Sequence, residues 1–395
     1  MNNAFKYYEF SEIADIYNGN SISKKEKEEN YLGLKDGTPY IATKDVGFDH
    51  LINYENGVSI PKSKWNEFRV APEKSVFVCS EGGSAGRKIA YNERDVHFGN
   101  KLYAIVPKDT VVAKYLYYYV LSKEFKDSFF GQMTGLIGGV SLKKFKTIKV
   151  PVPHISKQKQ LISILDEAFN GIDTAIANTE KNLANARELF ESYLNSVFSQ
   201  RNAQWEQKTL GEVCENLDSK RIPITKSKRK SGRIPYYGAS GVVDHVDDYI
   251  FDEDLLLVSE DGANLLARTY PIAFSISGKT WVNNHAHVLR FKNMFSQKFI
   301  EYFMNSISLV PYVSGMAQPK LNQRSLNSIQ VPFPADEIKR SVVERLDELS
   351  MEVERLEAIY KQKVELLIEL KQTLLQKAFS GELTSDNKLM DETEV

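Results

Sequence analysis

Three sets of residues have the types and spacing to do chemistry. The first runs from Ala273 to Thr280, Ala-Phe-Ser-Ile-Ser-Gly-Lys-Thr, a phosphate-binding loop with alanine in place of the first glycine. Such a loop cradles phosphate only where it opens into a helix whose N-terminal N–H groups face the anion. Here Trp281 to Phe291 read as a strand, so nucleotide binding is not expected. The second set, His285 and His287, has His-x-His spacing but no evident third metal ligand. Alternate residues of a strand share a face, so packing or nucleic-acid contact is the expected role.

The third set is basic. Lys220, Arg221, Lys226, Lys228, Arg229, Lys230 and Arg233 crowd one polar segment, with only Asp218 opposing them. Lys143 and Lys144 head a second cluster with Lys146 and Lys149. Lys24 and Lys25 form a third with Lys27, diluted by Glu26, Glu28 and Glu29, so a solvated surface competes evenly there. Lys44, Arg87, Lys101, Lys279, Asn284 and Lys320 stand singly near loop signals and join the candidate contacts. Basic and amide side chains on loops neutralise phosphates and reach base edges. The sequence patterns of catalysis are missing. There is no Asn-Pro-Pro-aromatic segment, no G-x-G-x-x-G and no plausible metal carboxylate cluster.

Composition sets the frame for these groups. The 395 residues are 42% hydrophobic and 26% charged, ordinary for a globular chain. Lys plus Arg is 51 and Asp plus Glu is 52, a net charge of −1, so any nucleic-acid contact must come from patches rather than bulk charge. Cys79 and Cys214 lie far apart and outside any zinc spacing, which suits a reducing cytoplasm. The first residues have no apolar signal core and no run is long enough for a membrane span, so no membrane association is expected.

The chain repeats itself. Val150-Pro151-Val152-Pro153 recurs as Val331-Pro332-Phe333-Pro334, Leu165-Asp166 as Leu346-Asp347, and Phe198-Ser199 as Phe379-Ser380, all at an offset of 181. Upstream, Val78 to Gly83 echoes Val258 to Ala263, and Tyr115 to Ser122 echoes Phe299 to Ser306. Glu12 maps to Glu212 at an offset of 200, so the first copy carries extra residues in its variable half.

Two long helices follow from the apolar spacing. From about 157 to 199 a seam of alternating four- and three-residue steps includes Leu165, Ile172, Ile176 and Leu183. From about 338 to 379 the second includes Leu346, Leu349, Val353, Leu356, Lys363, Leu367, Leu370 and Leu374. Heptad spacing over this length is the pattern of a coiled coil. Ser156 and Asp336 are the expected N-caps, and Gly381 the stop.

Between the helices, short β-like runs (Val76 to Cys79, Leu102 to Val106, Leu255 to Val258, His287 to Phe291) alternate with glycine turns, including one at Gly135. One or two helices fit in each unit, near 112–129 and 296–308. The fold class is α+β: two similar domains with mostly antiparallel sheets, each followed by a long helix. The expected boundaries are 1–153, helix 154–203, 204–334, helix 335–383 and a flexible tail at 384–395.

This layout resembles the specificity subunit of type I restriction-modification enzymes. The resemblance covers essentially the whole chain. It rests on the paired corners Pro151/Pro153 and Pro332/Pro334, the helix entries Leu165-Asp166 and Leu346-Asp347, and the segment Leu375 to Leu383. It implies two target recognition domains, each reading one half of an asymmetric bipartite site on double-stranded DNA. It implies antiparallel helices that set the spacer, with half-sites about one helical turn (roughly 34–36 Å) apart. Two adenine-methyltransferase subunits and restriction subunits would dock on the chain. S-adenosylmethionine, ATP and Mg would belong to those partners, leaving this chain without cofactor or catalysis. A nucleotide enzyme built on Lys279 and a coiled-coil adaptor without DNA binding are the alternatives.

Overall fold

In the computed structural model, which describes residues 5–34, 36–134, 138–199, 205–315 and 318–384, the apolar strand Val76–Cys79 is buried along its whole length. Successive side chains point to opposite faces. Val76 and Val78 therefore join a core with the helices Ala113–Leu121 and Lys123–Gly131, while Phe77 and Cys79 join a second core with Ile41, Val96 and Phe98. In the second half of the chain, Leu256 and Val258 face the helix Met294–Ser306, and Leu255 and Leu257 face Phe251 and Val282. One fully buried strand in each copy thus separates two cores.

The sheets repeat strand for strand. In the first copy an antiparallel sheet runs Ala14–Asn18, Leu102–Pro107, Val76–Cys79, Ile89–Tyr91. The second copy has Glu215–Asn216, Ala286–Arg290, Leu255–Ser259, Ala273–Ile276. A further sheet in each copy contains one parallel pairing, Tyr40 beside His97 and Tyr236 beside Trp281. A two-stranded ribbon carries each proline corner: Lys6–Glu9 with Lys149–Val152, and Gln207–Thr209 with Gln330–Pro332. Proline fits there because a two-stranded ribbon leaves an edge that needs no ladder N–H. The extra residues of the first copy fall between matched strands. Tyr40 and Ala71 are thirty-one residues apart, whereas Tyr236 and Phe251 are fifteen apart.

The long helices span Ile155–Ser199 and Asp336–Ser380. The chain divides into two compact units, residues 1–179 with 362–395, and residues 180–361, so each unit holds part of both helices. In the first unit Lys371 pairs with Asp173 and lies 4.9 Å over the Phe169 ring. In the second, the Arg187 Nε donates to Glu357 at 2.6 Å. Fourteen residues separate Asp173 from Arg187 and fourteen separate Glu357 from Lys371, the constant register of an antiparallel pair. Leu165, Ile172 and Leu346 are buried, and Ile176, Leu183, Leu349, Val353, Leu356, Leu367 and Leu374 are half-buried.

Several expectations need correction. Leu370 is 44% exposed and Lys363 is exposed, while Val364 and Lys371 are half-buried in their place. A 3.6-residue turn drifts against a strict heptad, so the inward face moves on by a residue. Each long helix also starts earlier than its expected cap. The carbonyls of His154 and Ala335, directly after Pro153 and Pro334, accept the first helical N–H groups, which puts Ser156 and Asp336 inside the first turn. The expected 112–129 helix breaks at Ser122, whose extended backbone and hydroxyl cap the next helix. Trp281 to Phe291 is two strands joined by a turn at Asn283 to His285. Gly381 ends the second helix at φ +88° as expected. Gly135 and the tail from 385 lie outside the described residues.

Candidate nucleic-acid interface

Three loops meet in each unit, held by the same backbone bonds. In the first unit Ser80 N–H donates to Lys101 O at 2.9 Å, Gly82 N–H to Gly138 O at 2.8 Å and Val140 N–H to Ser80 O at 3.0 Å. In the second, Glu260 N–H donates to His285 O at 2.9 Å, Gly262 N–H to Pro319 O at 3.0 Å and Leu321 N–H to Glu260 O at 2.8 Å. Gly82 and Gly262 have φ of +81° and +108°, a conformation glycine adopts at no steric cost. A basic side chain meets a carboxylate across the same two loops in both units, Lys101 to Glu81 at 3.1 Å and His285 to Asp261 at 2.9 Å. The repeat could have found these pairs, but the sequence pattern did not single out Glu81 and Asp261.

The basic segments also take equivalent places. The Tyr40 hydroxyl donates to Asn20 O at 2.6 Å, and the Tyr236 hydroxyl donates to Ile224 O at 3.3 Å. Lys27 lies 4.5 Å over the Tyr40 ring, and the Arg229 guanidinium 4.3 Å over the Tyr236 ring. Burial, and then Lys44, lowers the Lys27 pKa. Lys24 and Lys25 are exposed on the helix Lys24–Asn30, each 3.8 Å from a glutamate one turn on. In the second unit Lys220, Lys226, Lys228, Lys230 and Arg233 project from one segment, all five of them exposed. This segment is tied to the neighbouring strands by Trp281 Nε1, which donates to Ile222 O at 2.6 Å.

Arg221 departs from the expected surface role. Its guanidinium contacts Glu260 at 2.6 Å, Ala286 O at 2.7 Å and Asp218 at 3.5 Å, with the side chain 12% exposed. Arg229 is similarly engaged by Asp244 at 3.0 Å. Both arginines build the segment from which the lysines project. Lys44 is exposed on the short 3-10 helix Thr43–Asp45, Arg87 and Asn284 are exposed on turns, and Lys320 reaches Glu260 at 3.1 Å from within the three-loop cluster of the second unit. Lys143 and Lys144 are exposed on the helix Leu142–Lys146 that follows the first cluster. Arg324, at the repeat position of Lys143, is exposed on the matching helix and was not anticipated. Lys279 does not join this set, lying at the far end of its strand, 4.6 Å over Tyr249.

The phosphate-loop resemblance dissolves in the structure. Ala273–Ile276 and Lys279–Val282 are strands joined by a turn at Gly278, φ +68°, so no helix N-terminus faces Lys279. The two histidines do not share a face. His285 is exposed in a turn, and His287 is buried in a strand. Asp218 and Glu260 come within 4.8 Å of His287, a grouping with metal-ligand chemistry. Its donors are already engaged: His287 Nδ1 is 2.6 Å from Asp218, His287 Nε2 is 2.7 Å from Leu321 O, and Arg221 and Lys320 bind Glu260. Burial opposes ionisation of both carboxyls, but His287 and Arg221, with Val288 N–H on Asp218 and Lys320 on Glu260, hold both below the usual range.

The family model for the type I restriction modification DNA specificity domain matches residues 2–185 and again 202–366. The chain belongs to this family. A Haemophilus influenzae protein carrying the type I restriction enzyme specificity subunit name is 31% identical over 159 residues, 40% of each chain. The chain thus spans less than half the length of that relative. The StySPI specificity subunit of Salmonella potsdam is 21% identical over 92% of this chain and 86% of its own length. Among solved structures, one from work on assembly and conformational transition of the type I R-M system superposes with a TM-score of 0.75 at 14% identity, covering 96% of this chain and 98% of that one. The HsdS subunit of Thermoanaerobacter tengcongensis gives 0.60 at 14% identity, over 97% of this chain and 98% of its own. The two family matches fall on the two copies of the sheet frame. No helix among the described residues is long and apolar enough to cross a membrane.

Proposed function

We propose that this specificity-family chain binds double-stranded DNA sequence-specifically, each unit reading one half of an asymmetric bipartite site. The observation that carries the reading is the duplicated loop cluster, built on identical backbone bonds but presenting different side chains and flanked in each unit by a basic segment seated on a tyrosine. One frame with two sets of contacts suits two different half-sites. The exposed lysines supply phosphate contacts that position the chain, and the loop side chains supply base contacts.

The antiparallel helices act as the spacer and as the docking surface for two adenine-methyltransferase subunits and for restriction subunits. The chain itself is non-catalytic and works in the cytoplasm. S-adenosylmethionine, ATP and Mg are held by the partners. Methylome sequencing of cells carrying this chain with its methyltransferase partner tests the reading. A single bipartite, asymmetric motif is expected, and a continuous motif or none would overturn it.

A further inference from the structure

The two units treat the same pair of carboxylates differently. Asp166 and Asp173 of the first unit stand at the repeat positions of Asp347 and Glu354 in the second, each at an offset of 181. In the first unit both are paired, Asp166 with Lys114 at 2.7 Å and Asp173 with Lys371, which also lies 4.9 Å over the Phe169 ring. In the second unit neither Asp347 nor Glu354 has an ion pair among the described residues. Lys298, at the position of Lys114, turns to Glu301 at 3.6 Å, and Phe190 stands in place of Lys371. Asp347 accepts from the neutral Tyr302 hydroxyl.

Side-chain size changes along with the charge. Tyr91, Tyr117 and Phe169 of the first unit give way to Ser275, Glu301 and Ser350. The Tyr91 and Tyr117 rings meet at 5.8 Å, whereas the Ser275 hydroxyl donates to Glu301. The longer interval of the first unit adds a further group here, since His50 Nδ1 lies 3.0 Å from Ile89 O. At the matching carbonyl of Ala273 the second unit uses Asn305 of its own helix, at 2.8 Å. The second unit thus has an open groove of about 710 Å³, bordered by the strand Ala273–Ile276, the helix Met294–Ser306 and both long helices, with Phe190, Asp347, Ser350 and Glu354 among its lining residues.

Met351 and Tyr270, 70% and 61% exposed, line the same groove. Exposed methionine and aromatic side chains around a groove suit contact with a protein rather than with a lone ion. A protein that covers the groove takes Asp347 and Glu354 out of water, which is costly unless it brings a cation to them. The first unit contains the group that satisfies this frame, a lysine held between a carboxylate and an aromatic ring.

We propose that the groove of the second unit receives a lysine or arginine side chain from a docked methyltransferase subunit, in the role that Lys371 fills within the first unit. This rests on the reading that such subunits dock on the long helices. It makes the two docking sites unequal, one supplied with its own cations and one completed by the partner.

Native mass spectrometry of the full chain titrated with the methyltransferase subunit separates complexes with one and two subunits. Phe190→Lys installs the first unit's own cation and should weaken one of the two association steps roughly tenfold, leaving the other unchanged. Glu354→Gln, at an exposed position where the fold tolerates it, should weaken the same step by a similar factor. Both steps unaltered in the two variants would overturn the proposal, while docking on the helices would stand. Loss in Phe190→Lys without loss in Glu354→Gln would overturn it too, since shape alone would then matter. If the unaltered chain binds no methyltransferase subunit, the docking reading fails, and the groove assignment with it.

Discussion

The Tyr302 hydroxyl donates to Asp347 at 2.6 Å, joining the helix Met294–Ser306 to the second long helix. Tyr118 makes the matching bond to Asp166 in the first unit, where Lys114 adds an ion pair at 2.7 Å. Burial and then the aspartate push both tyrosine pKa values well above their ordinary range, so both hydroxyls stay protonated donors. Tyr302→Phe keeps the ring and removes the bond. It should cost about 1.5 kcal/mol, the scale of a hydrogen bond to a charged group, measured by denaturant unfolding.

The exposed lysines and the enclosed arginine of the 220–233 segment should respond differently. Changing Lys226, Lys228 and Lys230 to Gln should leave the melting temperature of the chain nearly unchanged. It should lower DNA affinity of the assembled complex and reduce the slope of log affinity against log salt by roughly 0.9 for each phosphate no longer neutralised. An unchanged slope would remove these lysines from the interface.

Arg221→Met should act on folding first. It leaves Asp218 and Glu260 with fewer partners in a nearly closed site, and breaking such a network costs about 3 kcal/mol. Thermal or denaturant unfolding reads this directly. Full stability with lost binding would return Arg221 to the DNA surface.

Replacing residues 204–334 with another family member's recognition unit should change one half of the methylated motif and keep the other. Adding about one helical turn near Ser199 and Gln200 should change the gap and keep both halves. Motif sequencing of the two variants in the same host separates these outcomes. Altered half-sites with an unchanged gap would contradict the spacer role.

Gln158 and Lys339 occupy the same place in the two long helices, and both are buried. Gln158 accepts from Val112 N–H at 2.8 Å, and Lys339 donates to Ser296 at 2.8 Å while lying 3.5 Å over the Phe333 ring. Lys339→Ala should lose about 1–2 kcal/mol by unfolding, and Lys339→Gln should recover part of it through the Ser296 contact.

The repeat, the long helices and the apolar strands were legible because each leaves a periodic or duplicated trace in the chain. Val76 to Cys79 reads as a strand from its own composition. Arg221 did not betray its enclosed role, because its partner Glu260 is thirty-nine residues away and a surface arginine has the same local sequence. The grouping of Asp218 and Glu260 around His287 was hidden for the same reason. The move from Leu370 to Lys371 followed from helical drift that a strict heptad count ignores.

The thirty residues between Tyr40 and Ala71, against fourteen between Tyr236 and Phe251, have a last consequence. The strands on both sides pair alike whichever length of chain lies between them. That interval is therefore a socket: beyond the one edge strand it supplies in each unit, Ser59–Ile60 or Gly241–Val246, its contents differ about twofold in length without a change of sheet order. New contact surfaces can arise there by exchange of a single segment, with the scaffold inherited intact.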